Sequence, residues 1–164
     1  MLGLRIALVI ALAATSACSL ALDFDKPTDA APPDSPATEV ECAVGEPNET
    51  ASTPTAWTGT DVSAAICGGG DKDYYAVELN GSQTIAARIT FMNRLGMGDL
   101  ELRLLTAGGA AVLDESRTSN NEEVVMCPGG DFCQPLAAGT YILEVQGFSP
   151  SVISPYVLSV SVVP

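Results

Sequence analysis

Residues 66–79 read ICGGGDKDYYAVEL, and the two acids in this stretch, Asp71 and Asp73, stand where chemistry is possible. They follow three glycines and lead directly into a strand-like run. Three kinds of chemistry suit two carboxylates spaced by one residue. As turn residues they accept hydrogen bonds from nearby backbone N–H groups, and Gly68, Gly69 and Gly70 supply unusual backbone angles. As ligands they offer hard oxygens to a cation such as calcium, which takes six to eight of them. As an acid–base pair they serve glycoside hydrolysis, which needs a cleft between the carboxyl groups. The last reading is disfavoured. Aromatic residues, the usual sugar platforms, make up 5% of the chain, and Trp57 is the one tryptophan.

Charge and composition narrow the classes further. Among 164 residues there are 20 acids, 7 bases and no histidine, for a net charge of -13. Without histidine, Ser-His-Asp and Cys-His catalysis and histidine-ligated zinc are excluded. The negative charge repels phosphate backbones and acidic headgroups, so no nucleic-acid partner is expected.

The elements that must position the acids are read from period-2 alternation. Tyr75, Val77 and Leu79 share one face, and Asn80-Gly81 then offers positive-φ residues for a tight hairpin. Ile85, Ala87, Ile89 and Phe91 point inward, with Arg88 and Thr90 outward. After a turn at Gly98-Asp99, Leu100, Leu102 and Leu104 point inward, with Glu101 and Arg103 outward. Residues 108–116 and 122–126 read as two shorter strands. Tyr141, Leu143 and Val145 face inward, and so do Tyr156, Leu158, Val160 and Val162, opposite Ser159 and Ser161. Tyr74 and Tyr75 alternate faces, one in the core. No window carries a helical stripe. The expected fold is an all-β, antiparallel, jelly-roll-like sandwich of about seven to eight strands after a disordered tether.

The N-terminus has its own grammar. Arg5, an apolar run from Ile6 to Ala14 and the small residues that follow read as a signal peptide over residues 1–17. Thr15-Ser16-Ala17-Cys18 resembles a lipobox, in which a cysteine is acylated after cleavage, and Ser19 resembles outer-membrane sorting. Several acyl chains, at about 0.8 kcal/mol per buried methylene, hold such a protein on a membrane. Residues 18–40, rich in Pro, Ala, Asp, Thr and Ser, read as a lipid-anchored flexible linker. Five cysteines are an odd number. With Cys18 acylated, Cys42, Cys67, Cys127 and Cys133 remain for two disulfides in an oxidising compartment, with three possible connectivities.

From Glu41 onward a family comes into view. GEPNET at 45–50, CGGGDKDYYAVEL at 67–79, GDLELRLL at 98–105, AAGTYILEV at 137–145 and YVLSVSV at 156–162 follow in order. Together they resemble the bacterial pre-peptidase C-terminal domain, a small β-sandwich similar in fold to the collagen-binding modules of bacterial collagenases. The resemblance covers nearly all of the domain at 41–164. It implies a calcium site in which an acidic segment joins acids before a strand, and nominates Glu46, Asn48, Glu49, Asp71 and Asp73 as ligands. A Cys42–Cys67 bridge brings those two segments together. Cys127–Cys133 pins a loop between two strands. The implied role is that of a cell-envelope lipoprotein, on the outer membrane or secreted, whose non-catalytic module recognises an envelope or extracellular protein or a polysaccharide. It meets the membrane through its lipid anchor only. The alternative is a structural or accessory subunit of an envelope complex; an enzyme is the third and disfavoured reading.

Overall fold

The computed structural model describes residues 41–93, 98–127 and 136–164. Residues 1–40, read above as signal peptide, acylated Cys18 and linker, lie outside them. Among the described residues, no helix is long and apolar enough to cross a membrane. The described residues form nine strands: β1 (Thr55–Ala56), β2 (Val62–Cys67), β3 (Lys72–Leu79), β4 (Thr84–Phe91), β5 (Leu100–Leu105), β6 (Val112–Ser116), β7 (Glu122–Cys127), β8 (Gly139–Gly147) and β9 (Ile153–Val163). They form a five-stranded sheet in the order β1-β3-β8-β5-β6 and a four-stranded sheet in the order β2-β9-β4-β7. All pairings are antiparallel except β1 with β3.

The pairings nest in sequence: β2 with β9, β3 with β8, β4 with β7 and β5 with β6. One long antiparallel ladder, wrapped so that successive steps fall in different sheets, is the jelly-roll arrangement. The alternating strands supply its filling. Tyr75, Val77, Ile85, Ala87, Ile89, Phe91, Leu100, Leu102, Leu104, Leu143, Val145, Tyr156 and Leu158 are each at most 1% exposed and form one core between the sheets. Their removal from water is the main force holding the two layers together.

Three expectations need correction. There are nine strands, because β1 and β2 carry little alternation: β2 is VSAAIC, and its Ala64 and Ala65 are both buried. Asn80-Gly81 does not close a hairpin. Gly81 and Ser82 do have positive φ, at 105° and 49°, but β4 crosses to the opposite sheet instead of returning beside β3. Glu101 does lie on the outer face of its sheet but is only 3% exposed. Arg117 Nε covers it at 2.9 Å and Gln146 Nε2 at 2.6 Å, while Lys72 Nζ and Arg103 Nη1 reach the neighbouring Glu144 at 3.0 and 3.2 Å. A ladder of paired charges therefore shields this face. Tyr74 is shielded too, packed with Leu105 and Ile142 in a small second cluster.

Candidate metal centre

Two segments meet at one end of the sandwich. The first enters through Cys42, bridged to Cys67 at the end of β2 with a Cα–Cα distance of 5.8 Å across 25 residues. Closing a loop of that length contributes about 3.5 kcal/mol on a chain-entropy estimate. The segment is held twice more. Thr55 Oγ1 donates to Gly45 O at 2.6 Å, and Tyr74 N donates to Asn48 O at 3.2 Å. Between those ties, Asn48 N donates to Glu46 Oε2 at 3.0 Å, which folds the Glu46 side chain back over the segment.

The second segment is the turn between β2 and β3. Gly68, Gly69 and Gly70 have φ of 79°, 69° and 85°, angles that L side chains rarely adopt. The turn closes through Asp71 N to Gly68 O at 3.1 Å and Cys67 N to Asp71 Oδ2 at 2.7 Å. The turn role expected of Asp71 is thus real, and it uses one carboxylate oxygen. Asp73, on β3 and 1% exposed, accepts a hydrogen bond from the Tyr156 hydroxyl through Oδ2. Tyr75 and Tyr156 hydroxyls lie 2.7 Å apart. Since Tyr156 gives its proton to Asp73, Tyr75 donates to Tyr156. This chain of hydroxyls ties Asp73 of one sheet to β9 of the other.

Glu46, Asp71 and Asp73 each bring a carboxylate oxygen within 4.8 Å of the other two. Oxygens that share one calcium at 2.3–2.6 Å lie no farther apart than about 5.2 Å, so the spacing fits that ion. Asn48 is fully buried, and its side-chain amide lies 3.0 Å from Asp73 Oδ1 and 3.1 Å from Glu46 Oε2. With nitrogen turned to the acids it donates to both; with oxygen turned to them it adds a fourth hard ligand. The first orientation is the one in which both ends of the amide find partners, so a ligand role requires the amide to turn over when a cation enters. Glu49 is exposed and stands outside this group of oxygens, though its charge bears on Glu46.

The crowding shows in the proton affinities. Burial, above all, raises Asp73 from 3.8 to about 7, and the charges of Asp71 and Glu46 push the same way against the Tyr156 hydrogen bond. Glu46 is raised as well, first by burial and then by the charges of Glu49 and Asp71. Tyr156 is raised well above its ordinary value, mainly by burial. Four of the five nominated ligands therefore converge. The two tyrosine hydroxyls were not foreseen as part of the site. A signal for them existed, since a tyrosine placed inside a core brings a hydroxyl that needs a partner.

Cys127 ends β7 and is fully buried; Cys133, and with it the Cys127–Cys133 pairing, lies outside the described residues. A notch of about 240 Å³ adjoins Asp71, which is the one carboxylate among the residues that line it.

No family model and no curated protein matches the chain. Among solved structures it is similar to the pre-peptidase C-terminal domain of a collagenase from Bacillus anthracis, at 18% identity and a TM-score of 0.49, over 66% of this chain and 96% of that one. It is also similar to Aeromonas hydrophila PliG, a periplasmic lysozyme inhibitor of g-type lysozyme, at 17% identity and a TM-score of 0.46, over 63% of this chain and 85% of that one. The first of these two is a pre-peptidase C-terminal domain, the family whose motifs the sequence resembles.

Proposed function

We propose that this chain is a non-catalytic binding module of the cell envelope whose β-sandwich is stabilised by calcium. The observation that carries the reading is the convergence of Glu46, Asp71 and Asp73 within 4.8 Å around a fully buried Asn48. Every donor is a hard oxygen, which suits calcium and disfavours softer metals. Asp71 keeps one oxygen engaged by Cys67 N and has the other to offer, whereas Asp73 has Oδ2 on the Tyr156 hydroxyl and Oδ1 beside the Asn48 amide, which would turn aside or present its own oxygen to an ion. Calcium, when bound, supplies the positive charge that offsets their mutual repulsion. The protein's part is to hold the oxygens in place and keep Asp73 and Asn48 away from water. Glu46, Asp71, Asp73 and a turned Asn48 amide would hold the ion, and water would complete its six to eight oxygens.

In this reading the module is exported and held to the outer membrane by acylation of Cys18, with residues 18–40 as its tether and an envelope or extracellular protein or polysaccharide as its partner. The Cys42–Cys67 disulfide supports an oxidising compartment. Thermal unfolding in calcium and in chelator tests the site. A ligand that binds only the folded state stabilises it by about 2.7 kcal/mol at a hundredfold excess over its Kd. For a domain of this size that raises the midpoint by several degrees. Equal midpoints in the two solutions would refute the site. Intact-mass spectrometry of the membrane fraction tests the anchor, and a chain with unmodified Cys18 refutes it. Pull-down from envelope extract with and without calcium identifies the partner.

A further inference from the structure

We infer that the Cys42–Cys67 bridge is a redox latch on the cation site: reducing it lowers calcium affinity, and bound calcium in turn protects the bridge from reduction. The inference rests on the calcium reading above and adds a means of regulating that site.

The placement of the bridge is what argues for it. Cys42 lies four residues before Glu46, and Cys67 lies four residues before Asp71. The disulfide is therefore the covalent root of both ligand segments. Cys67 is also in direct contact with a ligand, since its N–H donates to Asp71 Oδ2 at 2.7 Å. The turn from Cys67 to Asp71 closes on itself through local hydrogen bonds and needs no bridge. The Glu46 segment differs. Downstream it is held by the Thr55–Gly45 and Tyr74–Asn48 hydrogen bonds, but among the described residues the disulfide is its covalent tie to β2. Opening the bridge removes the covalent root of the segment and leaves Glu46 held by hydrogen bonds alone, at Gly45 and Asn48, against the like charges of Asp71 and Asp73. The segment then has to be reordered each time calcium binds. Affinity falls without vanishing, because the two hydrogen-bonded ties remain.

The chemistry requires a dithiol reductant, of the kind that thiol–disulfide oxidoreductases carry. One thiolate of the reductant attacks a sulfur of the bridge. It forms a mixed disulfide and releases the other cysteine as a thiolate, which takes up a proton. The second reductant thiol then breaks the mixed disulfide. Two electrons and two protons pass to Cys42 and Cys67, and the reductant leaves as a disulfide. Linkage makes the effect reciprocal. If the bridged form binds calcium more tightly by some factor, calcium favours the bridged form by the same factor. Each tenfold in that factor moves the midpoint of the two-electron couple by about 30 mV, toward more negative potential.

Two measurements decide the matter. Calcium titration by calorimetry compares the oxidised full chain with the Cys42→Ser, Cys67→Ser double variant; at least a tenfold weaker affinity is expected in the variant. Redox titration in dithiothreitol buffers, read by alkylation and peptide mapping of Cys42 and Cys67, is run with calcium and with chelator. The midpoint is expected to fall by about 30 mV or more with calcium, and Asp71→Asn should remove most of that shift. Equal affinities and an unmoved midpoint, with calcium still bound by the oxidised chain, overturn the latch and leave the calcium site standing. Failure of the oxidised chain to bind calcium overturns both. If the double variant does not fold, the redox titration of the natural chain decides alone: a midpoint that ignores calcium refutes the latch.

Discussion

At the scale of single residues, Asp73 carries the most informative chemistry. Its carboxyl is raised from 3.8 to about 7 by burial and by its acidic neighbours, so the folded chain holds a proton that the unfolded chain releases. The sign follows from linkage. Stability contributed by protonated Asp73 is fully present below its unfolded value near 3.9 and is lost as pH rises through about 7. Each pH unit of the difference is worth about 1.4 kcal/mol, so the full loss is on the order of a few kcal/mol at most. Glu46, also raised, adds in the same direction. In chelator the melting midpoint should therefore fall between pH 5 and pH 8. Calcium favours the charged carboxylates, so the midpoint gain on adding calcium should grow over the same window. Asp73→Asn retains an oxygen for the Tyr156 hydroxyl and removes the titration, and should flatten much of the chelator profile. Identical profiles for Asp73→Asn and the natural chain would show that Asp73 is already ionised throughout.

At the scale of elements, the turn that follows β8 is closely packed. Gly147 ends β8 where the chain doubles back through Ser149 to Val152. A Cβ there would lie 2.7 Å from Val152 Cβ and 2.9 Å from Ser149 O. Both obstacles belong to the turn itself, so no flexible side-chain end can swing aside. Gly147→Ala should destabilise the fold by about 1–3 kcal/mol, the usual cost of overpacking, read as a lower midpoint in denaturant titration. An unchanged midpoint would mean that the 148–152 turn moves freely. Strand faces are legible in the sequence because inward and outward positions alternate, as in TIAARITF of β4, where Ile85, Ala87, Ile89 and Phe91 are buried. The second strand was not, because two adjacent alanines give no contrast between faces. Asn80-Gly81 announced positive φ but not direction: local turn chemistry cannot say which sheet the next strand joins. Glu101 was assigned the correct face and the wrong environment, since its cover comes from Arg117 and Gln146, 16 and 45 residues away. The candidate ligands came from motif resemblance, whereas the tyrosine relay behind Asp73 depends on β3 of one sheet facing β9 of the other across the core.

At the scale of the whole molecule, a net charge of -13 means that any cation stabilises the chain to some degree by gathering around it. That diffuse effect has to be separated from a site. At 0.15 M salt the screening length is about 8 Å, so monovalent ions already quench most of the repulsion between exposed acids. The oxygens of Glu46, Asp71 and Asp73 lie within 4.8 Å of one another, and Asp73 is almost wholly shielded from water. Mobile salt reaches them poorly, and their repulsion persists. The expected outcome is therefore specific. In 0.15 M sodium chloride, calcium should still raise the melting midpoint by several degrees, whereas further sodium chloride should do little. Magnesium should do less than calcium, because it demands a tighter octahedron at 2.0–2.1 Å and gives up its water reluctantly. The Asp71→Asn, Asp73→Asn double variant changes the net charge by only two of thirteen, so it should keep the diffuse response and lose the calcium response. If magnesium and calcium act equally, or if the double variant keeps the calcium response, the stabilisation belongs to the acidic surface at large and not to the cluster at the end of the sandwich.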